Sequence, residues 1–113
     1  MTEVINIARQ YSQFPGGRYP DDGEGNGTDF RRRFLVPVLR NRLRATIELD
    51  GTAGYPSSFL EEAFGGLVRK EGFTAEEVLN AFDIVARDPS YSRYRIQITN
   101  FVEGAQPEVL PRV

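Results

Sequence analysis

Residues 43–70 carry a strand, a turn and a helix in immediate succession, and this unit restricts the fold more than any other stretch of the chain. Leu43, Ala45, Ile47 and Leu49 alternate with Arg44, Thr46 and Glu48, the period of a half-buried strand. The turn G-T-A-G-Y-P follows. Phe59, Leu60, Ala63, Phe64, Leu67 and Val68 then recur at helical spacing, which predicts a helix from Ser57 or Ser58 to about Lys70 with one buried face. A strand that runs into a helix returns to its sheet by a crossover, so the unit implies helices layered on a mostly parallel or mixed sheet.

The rest of the chain agrees with an α/β class. E-V-I-N-I-A over 3–8 reads as a first strand, and the stretch 9–28, dense in glycine and proline, as a long loop. Thr28 is placed to cap a helix reaching about Asn41, with Phe30, Phe34, Leu35, Val38 and Leu39 inward and Pro37 kinking or splitting it. Thr74 and Glu77 make a capping box for a third helix striped by Val78, Leu79, Phe82 and Val85 and stopped at Asp88-Pro89. Tyr94, Ile96 and Ile98 alternate with Arg93, Arg95 and Gln97, which predicts a third strand over 92–99. A chain of 113 residues then holds one domain, 1–102, with a loosely held tail over 103–113.

Composition narrows the chemistry. The chain has no cysteine and no histidine, which removes thiolate chemistry, the commonest general base and the commonest metal ligand. No apolar run approaches the ~20 residues a membrane span needs, and the N-terminus does not look like a secretion signal, so a cytoplasmic protein without a membrane role is expected. A serine nucleophile needs a base in reach, yet the single lysine, Lys70, lies at the far end of the helix from Ser57 and Ser58. Catalysis is therefore not expected, a carboxylate enzyme using Asp21, Asp22 or Asp50 being a minor alternative. No cofactor is expected. The loop Asp22–Gly27 has oxygen-bearing residues at the first, third and fifth positions of a calcium loop, but the twelfth position is Arg33 and the eighth is Asp29, against calcium.

Three features remain. Ser57 and Ser58 stand at a helix start, where the backbone favours negative charge; Ser58 with Glu61 also has capping-box spacing. Gly16, Gly17, Arg18 and Tyr19 could turn tightly and hold an anion or a partner. Six arginines fall between Arg31 and Arg44 with no acid among them. That run is read first as a solvated face paired with nearby acids; in a chain of net charge −2 a nucleic-acid footprint is the alternative.

Residues 44–69, R-A-T-I-E-L-D-G-T-A-G-Y-P-S-S-F-L-E-E-A-F-G-G-L-V-R, together with F-P-G-G-R-Y-P-D-D-G-E-G-N-G-T-D-F over 14–30, resemble a bacterial STAS-like family of unknown function. The resemblance implies a STAS-like α/β fold, a small mixed sheet with helices packed mainly on one face. Through the related anti-sigma-factor antagonists it also implies a regulatory module that docks a histidine-kinase-like ATPase and is switched by serine phosphorylation. By position Ser57 stands where the phosphoacceptor would be, with Ser58 beside it; Pro56 replaces the usual acid before the serine and Phe59 the usual glycine after the pair. The partner surface implied is Tyr55, Phe59, Glu61 and Glu62 with Gly16, Gly17, Arg18 and Tyr19.

Overall fold

A computed structural model describes residues 2–108. β1 (Glu3–Asn6) leads directly into a one-turn helix, α1 (Ile7–Gln10), and the glycine-rich loop then carries a 3-10 turn at Pro20–Asp22. α2 is a continuous helical run built from Gly27–Phe30, a π-helical turn Arg31–Leu35, and Val36–Arg40. β2 (Ala45–Glu48) precedes α3, which joins Ser57–Leu60, a second π-helical turn Glu61–Gly65, and Gly66–Arg69. α4 (Ala75–Ala81) runs without a loop into β3 (Phe82–Val85), and α5 (Ser92–Gly104) follows a short 3-10 turn at Pro89–Tyr91.

The three strands are parallel in the order β1-β2-β3, with Ile5, Ile47 and Ile84 in one row across the sheet. That row shares a face with Ala45 and Phe82, and Ile5, Ala45, Ile47 and Phe82 are buried. The opposite face carries Val4, Asn6, Thr46, Glu48, Asp83 and Val85, none of them buried. The helices thus cover one face, as a STAS-like α/β fold requires. The core between them is aromatic: Phe30 of α2 meets Phe59 and Phe64 of α3 at ring-centroid distances of 5.8 and 6.2 Å.

Two segments depart from the sequence reading. Phe82–Val85 continues the helical stripe of Val78 and Leu79, yet it forms β3, because Ile84 and Val85 pair beside β2 at full parallel register and β-branched residues suit that pleated surface. Residues 92–99, expected as the third strand, lie inside α5 instead. Tyr94, Ile98 and Val102 are spaced i, i+4, i+8 and are all buried, whereas Ile96, inward in a strand, is 61% exposed. Pro37 does not split α2. Its missing N–H falls just after the π-helical turn, where the wider backbone path absorbs the lost hydrogen bond. The cap of that helix is Asn26, whose side chain accepts from the Asp29 N–H, while Thr28 donates to the Arg18 carbonyl. The expected tail starts later and is held: α5 reaches Gly104, and the Glu108 N–H bonds the Arg69 carbonyl at 2.8 Å. Residues 109–113 of that tail lie outside the described residues.

Candidate functional site

Four cations and three carboxylates tie the glycine-rich loop to α2 and α3. Glu62 of α3 has no exposed surface and Arg31 of α2 is 1% exposed. Arg31 donates from Nη1 to Glu62 Oε2 at 2.9 Å and to the Glu62 carbonyl, and from Nε to Glu71 Oε2 at 2.9 Å. Arg69 reaches Glu62 Oε1 at 3.0 Å, Lys70 stands 3.8 Å from Oε2, and Arg18 joins from the loop at 3.4 Å while also bonding Glu61. Glu61 is further held by Arg69. Burial pushes the Glu62 carboxyl up, but the Arg31 hydrogen bond and the charges of Arg31, Lys70 and Arg69 outweigh it and hold the group below the usual glutamate range. Gly66 makes room for this cluster: a Cβ there would stand 3.0 Å from Arg31 Cζ and closer still to Nη1.

Above that cluster, α3 begins at the lip of a groove. Pro56 occupies the cap position and offers no capping side chain, so Ser57 is the first residue of the helix with its surface exposed. The groove beside it, about 400 Å³ in volume, is walled by Phe14, Pro15, Ala53, Tyr55, Pro56 and Tyr94. Phe14 is 75% exposed although its N–H is fixed to Ser12 Oγ at 3.0 Å. The wall is stiffened from beneath, where Tyr55 packs edge-on to Tyr94 at 5.1 Å and donates to the Leu49 carbonyl at 2.6 Å. The Ala53 N–H bonds the Gln13 carbonyl, which fastens the two loops across the groove.

The structure therefore sorts the expected residues. Ser57 is exposed and Ser58 half-buried; Gly16, Gly17 and Arg18 are half-buried and Tyr19 is exposed, with Lys70 Nζ 5.2 Å from its ring centre. Gly17 has φ +80 and could not carry a Cβ, which would lie 2.5 Å from Asp22 Cβ. Phe59 and Glu62, expected on the partner surface, are fully buried, and Tyr55 is 5% exposed, so none of them forms that surface. Phe59 belongs to the aromatic core because it lies on the α2-facing side of α3. Glu61 is committed to Arg18 and Arg69 rather than to a capping box with Ser58. Asp22 and Asn26 likewise direct side-chain oxygens at nearby backbone N–H groups of their own loop and of α2. Arg31 leaves the basic run for the interior, while Arg32, Arg33, Arg40, Arg42 and Arg44 are exposed and make no ion pair among the described residues. The expected pairing of that face with acids is corrected. Sequence reasoning missed Phe14; the signal available was a lone phenylalanine between Gln13 and Pro15 in a stretch already assigned to loop.

A one-sided parallel sheet whose second crossover helix starts at an exposed serine defines a small α/β domain of STAS type. The chain belongs to the family described as STAS-like domain of unknown function (DUF4325), which it matches over residues 26–91, more than half its length. The match includes Ser57 and all of α3; of the upstream segment 14–30 it includes only 26–30. No curated protein and no solved structure matches the chain. Among the described residues no helix is long and apolar enough to cross a membrane.

Proposed function

We propose that this chain is a non-catalytic regulatory module that docks a protein partner at the amino end of α3, the partner being a histidine-kinase-like ATPase and Ser57 the residue on which phosphate switches the contact. The observation that carries the reading is the exposed Ser57 beside a groove bearing Phe14, a 75% exposed aromatic whose backbone N–H is fixed to Ser12. Large apolar groups presented on a rigid wall favour protein contact. Membership of a STAS-like family supports the regulatory class. Phosphate on Ser57 would add about −1.5 to −2 charges at a helix N-terminus that welcomes them, so the fold tolerates a modification that an apolar interface would not. The contact surface is redrawn around Phe14, Tyr19, Pro56 and Ser57, since Phe59 is interior.

Incubation with such an ATPase and ATP, followed by mass spectrometry, tests the switch. Phosphate mapped to Ser57 or Ser58 is the expected result; an unmodified helix start together with undiminished binding by Ser57→Asp would overturn it.

A second reading rests on Arg32, Arg33, Arg40, Arg42 and Arg44, which are exposed and make no ion pair among the described residues. They supply a basic face suited to a nucleic-acid backbone. A salt titration separates the two: affinity for duplex DNA that falls steeply with salt supports this reading, whereas a contact centred on Phe14 responds little.

A further inference from the structure

A cleft of about 480 Å³ opens at the carboxyl ends of the parallel strands, between Asn6 at the end of β1, Glu48 at the end of β2 and Arg87 just past β3, with Arg9, Gln13 and Asp50 completing its wall. Open α/β sheets bind ligands at this edge, and the volume is that of a small-molecule site. None of its wall residues lines the Ser57 groove, so the cleft is a separate site.

The hydrogen-bonding capacity of the wall says what would fit. Asp50 takes one bond on each oxygen, from the Arg87 and Asp88 N–H groups at 2.9 and 2.8 Å. Glu48 takes one bond on each oxygen, from Asn6 Nδ2 at 3.3 Å and Arg87 Nη2 at 3.0 Å, which leaves a second lone pair on each for an incoming hydroxyl. Arg87 spends one of its donors on Glu48. Arg9 is exposed and makes no ion pair among the described residues, and the Gln13 amide is on the same wall. Each carboxylate oxygen thus holds one bond and keeps room for a hydroxyl, while most guanidinium donors are open, an arrangement for an anion carrying hydroxyls.

We infer that the cleft binds a phosphorylated pentose, the group shared by ribose 5-phosphate and nucleoside monophosphates, with the phosphate on Arg9 and Arg87 and the sugar hydroxyls on Glu48. The backbone N–H of Gly51, which also lines the cleft, reports occupancy by nuclear magnetic resonance.

The test is a titration of the isotopically labelled chain with ribose 5-phosphate, AMP, inorganic phosphate and ribose. Ribose 5-phosphate is expected to shift the Arg9, Gly51 and Arg87 amides saturably, inorganic phosphate at least tenfold more weakly and ribose not at all. AMP binding as well identifies the shared moiety; ribose 5-phosphate alone identifies a free sugar phosphate. Arg9→Gln should weaken binding about tenfold or more, while Ser57→Asp should leave it unchanged, which separates this site from the docking groove. No saturable shift with either ester, AMP binding without ribose 5-phosphate, inorganic phosphate or ribose binding equally well, or an unaffected Arg9→Gln would each overturn the inference.

Discussion

Glu62 shows how far one buried side chain organises this molecule. It joins the glycine-rich loop, α2 and α3 through Arg18, Arg31 and Arg69. Glu62→Gln removes the fully buried charge partner of Arg31 and leaves it only Glu71, on Nε, so a loss of about 3 kcal/mol is expected in urea unfolding. The pH dependence follows from the depressed folded pKa of Glu62. Its contribution is fully present above the unfolded glutamate pKa and fades as pH falls through the lower folded value, so stability measured from pH 7 downward should drop in acid, and Glu62→Gln should remove that part of the slope. Gly66→Ala drives a Cβ against Arg31, with an expected cost of about 1–3 kcal/mol. None of this was legible residue by residue, because charges in sequence are read as surface and most are. The available signal was Gly66 one turn beyond Glu62, which leaves an opening on α3 wide enough for a guanidinium.

Elements were legible where local chemistry agreed with tertiary packing. The start of α4 is an example: Thr74 accepts from the Glu77 N–H at 3.0 Å and Glu77 returns a bond to the Thr74 N–H, the box its spacing announced. Thr74→Ala should therefore cost about 0.5–2 kcal/mol, measured by the same unfolding. β2 and α3 were equally clear from periodicity. The junction of α4 with β3 was not, because Phe82 and Val85 satisfy the helical stripe as well as the strand, and no turn residue separates the two elements. The segment 92–104 failed in the opposite direction: three apolar residues two apart imitate a strand, and only Val102, a turn beyond, reveals the helical period. Pairing with β2 decided the first choice, and burial of Tyr94, Ile98 and Val102 along one helical face decided the second.

At the scale of the whole molecule, a basic face and an apolar groove lie at opposite ends of β2. Arg40, Arg42 and Arg44, exposed and without an acidic partner among the described residues, flank the α2–β2 connection, whereas Phe14 and Ser57 mark the groove at the other end of β2. Ser57 was legible because a strand, a glycine-rich turn and a helix locate a crossover start in any α/β chain; the groove was not, since the loop 9–28 brings Phe14 to it through contacts that no local pattern encodes. Phe14→Ser removes surface that supports no core packing, so its melting temperature should stay within a degree or two of the parent while partner binding weakens. The most direct test is a calorimetric titration of a histidine-kinase-like ATPase from the same genome with the parent chain, Phe14→Ser and Ser57→Asp. The account expects tight binding by the parent and at least about tenfold weaker binding by both variants, a deficit of ~1.4 kcal/mol or more. Equal affinity across all three, with every chain folded, would contradict it.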